Sequence, residues 1–269
     1  MIKSARLTLL ATTLLALPVS ALAGVSDWAN NPGGRMRIVA LSPDSTGKVE
    51  GVIEIEPTPG WITYWREPGD AGMPPQLTLA PQNGYAVTRL DFPVPQRFDQ
   101  NGVSDIGYDA PVALPFTLNA TGKAGDELDA TVFIGVCKEI CVPFQAELST
   151  SLVSFEDASA RPILEAAKTH LPEKPSAEFF AEKPKLGADG KTVSVTVGLP
   201  DVQDKPEFYL TGPDGYVYFD PLLQRADMGK VIATFPLDTL PRQYSFSGKT
   251  WRLLVKSGAR AMETPLVFD

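Results

Sequence analysis

The feature that most constrains the fold is a series of short segments in which apolar and polar residues alternate. Between residues 35 and 155 they include RMRIVAL, KVEGVIEIEP, PQLTLAP, YAVTRLDFP and DELDATVFIGV. This period of two is typical of half-buried strands. The 25 prolines and 22 glycines of the chain supply the turns between such segments. The pattern therefore predicts an all-β fold, built as an antiparallel β-sandwich.

A second all-β block follows from residue 179 to residue 269, with segments such as TVSVTVGLP, KVIATFPL and TWRLLVKSG. It contains no cysteine and no evident cluster of chemistry, so we interpret it as a smaller β-sandwich that serves as a spacer or docking module. Between the two blocks, residues 158–178 are predicted to form a short helix and a proline-rich linker. The apolar stripe of this helix consists of Ile163, Leu164, Ala167 and Leu171.

The first 23 residues have the pattern of a secretory signal peptide. Lys3 and Arg6 precede the apolar run LTLLATTLLALPV, and an A-x-A cleavage site ends at Ala23. We expect the mature chain to begin at Gly24 and its first domain to occupy residues 24–157. The apolar run is short for a membrane-spanning helix, and a retained anchor is the alternative. No later stretch approaches that length, so we expect a soluble mature protein.

Charge and motifs exclude several classes of function. Without Lys3 and Arg6 the chain keeps 22 basic and 32 acidic residues, a net charge of −10. This balance argues against nucleic acid and anionic membranes as partners, because both require clustered cations. The sequence has no H-E-x-x-H, P-loop or G-x-G-x-x-G motif, and its single histidine, His170, is expected at a solvated helix end. We therefore predict no cofactor and no metal.

The two cysteines, Cys137 and Cys141, lie four positions apart in GVCKEICVP. In an extended strand they would be about 13 Å apart, whereas the Cα atoms of a disulfide approach to about 4.4–6.8 Å. A disulfide therefore requires the chain to turn at residues 138–140. Closing so small a ring, of about five residues, contributes only roughly 2 kcal/mol. Such tight bonds are often exposed and able to exchange. We favour redox exchange, with a structural bond and metal binding as alternatives.

Three aromatic residues fall within the segment GWITYWREPGDAG, residues 60–72. They are Trp61, Tyr64 and Trp65, and strand alternation puts the two tryptophans on one face and Tyr64 on the other. One interpretation is that they fill the core of the sandwich. The other is that they form an aromatic wall beside the disulfide, in which Tyr64 offers its hydroxyl. The two interpretations are compatible.

Three motifs in this order resemble a known family. GWITYWREPGDAGMP, FPVPQRFDQNGVSDIGYDAPVALP and VCKEICVPFQAEL together are similar to the N-terminal periplasmic domain of the DsbD/ScsB thiol:disulfide interchange proteins, most closely to the ScsB-type branch. The resemblance covers roughly residues 35–155. It implies an immunoglobulin-like sandwich that carries one redox-active cysteine pair. Such a domain accepts electrons from a membrane-embedded partner and passes them to periplasmic thioredoxin-like proteins.

The resemblance also implies roles for individual residues. Cys137 and Cys141 would be the redox pair, with Cys141 forming the mixed disulfide. The loop at residues 98–102 matches the family's cap loop, with Phe98 as the capping ring. Because the membrane and thioredoxin-like domains of complete members are not in this sequence, we expect a separate membrane electron transporter. The rival interpretation is a non-catalytic periplasmic binding or copper-handling module with a structural disulfide.

Overall fold

A computed structural model describes residues 24–70, 72–100, 102–153, 158–188, 190–200, 205–226, 229–241 and 243–268. The predicted signal peptide, residues 1–23, lies outside the described residues. The regular structure of the described part consists mostly of antiparallel strands, as the alternating pattern predicted. They form two β-sandwiches joined by one helix and a linker.

The first sandwich consists of two sheets. Its strands are β1 (Ala29–Asn31), β2 (Gly34–Ala40), β3 (Lys48–Pro57), β4 (Ile62–Gly69), β5 (Gln76–Leu79), β6 (Tyr85–Leu90), β7 (Gln96–Gln100), β8 (Val103–Tyr108), β9 (Val112–Ala120), β10 (Glu127–Cys137) and β11 (Cys141–Ser151). One sheet has the order β1-β2-β3-β9-β6, and the other has the order β11-β10-β4-β8-β7, with β5 added to β10. Strand alternation builds the core between them. In β10, for example, Leu128, Val132 and Ile134 are fully buried.

The predicted helix is α1 (Ala160–Thr169). It lies on the outer face of the first sheet, where Leu164 and Ala167 are buried together with Val39 and Val52 of β2 and β3. The helix ends where the backbone N–H of His170 bonds to the carbonyl oxygen of Ala167. With ten residues it is too short to cross a bilayer. None of the helices among the described residues is long and apolar enough to do so.

The second sandwich has its own core, which is rich in aromatic rings packed around Trp251. Its strands are β12 (Phe180–Ala181), β13 (Lys185–Leu186), β14 (Thr192–Gly198), β15 (Glu207–Thr211), β16 (Val217–Tyr218), β17 (Leu222–Arg225), β18 (Lys230–Pro236), β19 (Trp251–Ser257) and β20 (Arg260–Leu266). One sheet has the order β12-β14-β18-β17 with β13 on β14, and the other has the order β16-β15-β19-β20.

The two sandwiches pack directly against each other. Tyr209 and Leu254 of the second sandwich are each 1% exposed and belong to the core of the first. The ring of Tyr209 meets Trp65 of β4 edge to face, with 6.1 Å between ring centroids. The linker is also held, because the backbone N–H of Glu173 bonds to the carbonyl oxygen of Ala261. The second sandwich is therefore a packing partner of the strand that carries the predicted aromatic residues.

Candidate redox site

The cysteines form a disulfide at the tip of the β10–β11 hairpin. Strand β10 ends at Cys137 and β11 begins at Cys141, and the two residues are direct register partners. Their Cα atoms are 4.1 Å apart because the chain turns at residues 138–140, as the spacing required. The bond thus closes a hairpin turn between neighbouring strands and joins no distant parts of the fold.

The two cysteines differ in exposure. Cys137 is 7% exposed and counts among the buried residues of the first sandwich. Cys141 is partly exposed, and the preceding residue, Ile140, is 76% exposed. A protein that approaches from solvent therefore meets Cys141 before Cys137. This asymmetry suits Cys141 as the sulfur attacked by, or attacking, another thiol protein.

Tyr64 connects β4 to the disulfide. Its side chain is fully buried, and its Oη lies 2.9 Å from the Sγ of Cys141. A disulfide sulfur carries no hydrogen, so the tyrosine hydroxyl is the donor of this hydrogen bond. Strand register brings the groups together, since Cys137 pairs with Ile62 of β4 and Tyr64 lies two positions further on the same face.

Two glycines make room for the ring of Tyr64. A Cβ atom added to Gly72 would lie 2.5 Å from a ring carbon of Tyr64, and one added to Gly135 would lie 2.9 Å away. Both distances are shorter than van der Waals contact. Larger residues at these two positions would force a shift of the Tyr64 ring or of its neighbours, which are Pro68 beside Gly72 and Met73 beside Gly135.

Burial controls the ionisation of Tyr64. Desolvation, the larger cause, and the nearby carboxylate of Asp105 together raise the pKa of Tyr64 to about 12. The phenol therefore keeps its proton at physiological pH. It therefore serves as the donor of the hydrogen bond to the disulfide.

Trp65 lies on the face of β4 opposite to Tyr64, and Trp61 comes just before the first residue of β4. Trp65 is 1% exposed and packs in the core against Tyr209. Trp61 is half-buried, and its ring converges with the side chain of Val136 over Gly33. Of the three aromatic residues, the structure brings Tyr64 to the sulfurs, and it buries Trp65 where the second sandwich docks.

Phe98 lies on β7, where it pairs with Asp105 of β8 and is half-buried. Because Gly107 of β8 pairs with Tyr64, register places Phe98 on the same face of the sheet as Tyr64. Strands β8 and β4 nevertheless lie between β7 and the cysteine hairpin. Strand register alone does not bring the ring over the sulfurs, so a capping role requires the β7–β8 hairpin to bend across this face.

Sequence reasoning missed the ionisable groups around β4. Arg66 forms an ion pair with Glu263 of β20 and lies over the ring of Trp65, 4.0 Å from its centroid. Burial raises the pKa of Glu67 to about 7, Arg66 lowers it and Glu263 raises it. The ion pair of Arg66, and the part of the Glu67 pKa shift that Glu263 causes, depend on a residue 197 positions from Arg66 in the chain. No local pattern could have indicated them.

The described residues contain no group of three or more His, Cys, Asp or Glu side chains placed to hold a metal ion. His170 is exposed at the end of α1, where its carbonyl oxygen accepts a hydrogen bond from the backbone N–H of Val94.

Comparisons with known proteins indicate a family for part of the chain and a fold for most of it. Residues 36–152 match the family model "Thiol:disulfide interchange protein DsbD, N-terminal". The whole fold is similar to the crystal structure of the N-terminal periplasmic domain of ScsB from Proteus mirabilis, with a TM-score of 0.72 and 23% identity over 92% of this chain and 100% of that chain. That likeness shows a shared fold that extends over both sandwiches.

Other comparisons add little. A conserved domain protein from Bacillus anthracis aligns over 90% of this chain and 89% of its own, but with a TM-score of 0.23 and 9% identity, too low to indicate a common fold. No curated protein matches the chain in sequence. The family match, the ScsB fold and the disulfide support a role related to thiol:disulfide interchange in general. Residues 36–152 are a DsbD/ScsB-type N-terminal domain with an immunoglobulin-like fold.

Proposed function

We propose that this chain is a periplasmic electron relay that exchanges its Cys137–Cys141 disulfide with partner proteins. A separate membrane electron transporter supplies two electrons and two protons and reduces the disulfide to a dithiol. The dithiol then reduces the disulfide of a periplasmic thioredoxin-like protein. The periplasmic location is supported by the predicted signal peptide and by the periplasmic origin of the ScsB domain whose fold the chain shares.

Each step of the exchange has a group that can perform it. The Cys141 thiolate attacks one sulfur of the client disulfide, and the other client sulfur leaves as a thiolate that takes up a proton. Cys137 then loses its proton and attacks Cys141 in the mixed disulfide, which releases the second client sulfur as a thiol. Two electrons pass to the client, and the Cys137–Cys141 bond forms again.

The observation that carries the proposal is the unequal exposure of the two cysteines. A partly exposed Cys141 beside a buried Cys137 provides one sulfur for intermolecular attack and one for resolution. A purely structural bond needs no such asymmetry. The hydrogen bond from Tyr64 adds a means of stabilising the attacking thiolate.

The reduction potential of the pair tests this function. Equilibration with glutathione buffers, followed by alkylation and mass measurement, gives the potential directly. A relay requires a value within reach of its partners, whereas a structural disulfide typically has a potential below about −300 mV. A value in that low range would contradict the relay.

A further inference from the structure

Ile140, the apolar residue between the two cysteines, is exposed to solvent. At 76% exposure it is more exposed than the other large apolar side chains of the described part, of which Leu222 follows at 74%. It occupies a hairpin turn, where Gly, Asn, Asp and Ser are the usual residues. Full burial of an isoleucine contributes about 1.5–3 kcal/mol, and this position gains almost none of it. The fold gives no reason for an isoleucine here.

The position of Ile140 relative to Cys141 suggests a different reason. Consecutive Cα atoms are about 3.8 Å apart, so a protein thiol that reaches Cys141 must also bring its surface against residue 140. The inner side of this sulfur is already occupied by the hydroxyl of Tyr64. A partner therefore has to approach from the solvent side, where the isoleucine projects.

The remaining turn residues favour an apolar contact. Lys138 and Glu139 are both exposed and carry opposite charges, so the turn presents no net charge to a partner. Pro143 of β11 is exposed as well. An interface anchor usually lies at the centre of a contact. The groups around it exclude water but contribute little binding energy of their own.

We propose that Ile140 is the docking anchor of the relay, seated on the apolar surface that surrounds the reactive sulfurs of a thioredoxin-like partner. The inference rests on the proposed relay and explains how that relay selects protein disulfides over small ones. Burial of Ile140 stabilises the encounter with a protein disulfide but contributes nothing to the encounter with a small one. The anchor thus separates partner proteins from the pool of low-molecular-weight thiols.

The test compares a protein substrate with a small one. The full mature chain is reduced, freed of reductant and mixed with oxidised protein disulfide isomerase, a thioredoxin-like protein with a potential of about −180 mV, or with glutathione disulfide, and the initial rate of each exchange is measured. For Ile140→Asp the rate with the isomerase should fall by about tenfold or more, as for loss of an interface hot spot, and the rate with glutathione disulfide should stay within about twofold of wild type. Ile140→Leu should restore most of the rate with the isomerase.

Leu222→Asp is the matched control, because Leu222 is equally exposed but belongs to the second sandwich. It should leave both rates unchanged. An unaltered rate of Ile140→Asp with the isomerase would overturn the anchor and leave the relay intact. An equal loss with both substrates would also overturn it, because it would show that residue 140 acts on the cysteines themselves. A wild-type chain that reduces glutathione disulfide but not the isomerase, whose potential is the higher of the two, would overturn the relay, and the anchor with it.

Discussion

The Oη of Tyr64 and the Sγ of Cys141 are 2.9 Å apart although 77 positions separate them in the chain. This hydrogen bond links the middle of β4 to the first residue of β11. A buried phenol that stays protonated is a fixed donor beside the more exposed sulfur. The contact brings a residue far from the cysteine motif within hydrogen-bonding distance of Cys141.

Replacing Tyr64 by Phe should raise the pKa of the Cys141 thiol in the reduced protein. A hydrogen bond to a charged group contributes about 1.5–3 kcal/mol, which corresponds to about one to two pH units. The measurement is a titration of thiolate absorbance in Cys137→Ser and in the double variant with Tyr64→Phe. Tyr85→Phe, which changes a buried tyrosine of the other sheet, serves as the control. An unchanged thiol pKa would mean that the bond does not persist after reduction.

The two cysteines should behave differently in a trapping experiment. Cys137→Ser leaves the partly exposed Cys141 thiol without its resolving partner, so it should accumulate a mixed disulfide with a thioredoxin-like protein. Cys141→Ser leaves only the buried Cys137 and should trap little. Non-reducing gel electrophoresis after acid quenching gives the trapped fraction. Equal trapping by both variants would remove the assignment of Cys141 as the interchange sulfur.

Cleavage of the chain before residue 172 should yield two folded β domains, and thiol exchange should remain with the N-terminal fragment. Each sandwich has its own buried cluster. The N-terminal fragment should nevertheless lose stability, because Tyr209 and Leu254 no longer cover Trp65 and its neighbours. Urea unfolding followed by tryptophan fluorescence measures the loss. An insoluble N-terminal fragment, together with a single transition of the intact chain, would show that the halves share one folding unit.

Stability should depend on pH through Glu67. Burial raises the pKa of this carboxyl from 4.5 to about 7 in the folded protein. The folded state therefore binds the proton more tightly than the unfolded state, and the resulting stabilisation is complete below pH 4.5 and is lost as the pH rises through about 7. The Tm should fall between about pH 5 and about pH 8 in the wild type, and Glu67→Gln should flatten this dependence. Identical profiles for both proteins would assign the dependence to other groups.

Replacing Phe98 by Ala tests whether the β7–β8 hairpin shields the disulfide. If its ring covers the sulfurs, reduction by dithiothreitol should become severalfold faster, and the free energy of unfolding should change by less than the about 3–5 kcal/mol of a core Phe deletion. Arg97→Ala is a useful companion, because Arg97 holds the same strand to Asp220 and Phe219 of the second sandwich. A Phe98→Ala protein that unfolds readily but reacts no faster would identify Phe98 as a packing residue.

The sequence predicted the parts of the molecule that depend on local periodicity. Strand alternation gave the all-β class and put Trp65 opposite Tyr64, and the cysteine spacing demanded the turn at residues 138–140. The contact between Tyr64 and Cys141 could not be derived in the same way, because it depends on which strands become neighbours. The apposition of Trp65 and Tyr209 depends likewise on how the two sandwiches pack.

The glycines beside the Tyr64 ring have a consequence for variation in this protein. Alanine at position 72 or 135 would crowd the phenol ring of Tyr64, and neither position belongs to the cysteine turn at residues 138–140. A homologue or variant could therefore retain an intact cysteine pair, form the disulfide and still have lost the tuning of its thiolate. The presence of two cysteines at this spacing is thus an incomplete marker of competence, and positions 72 and 135 should be inspected together with them.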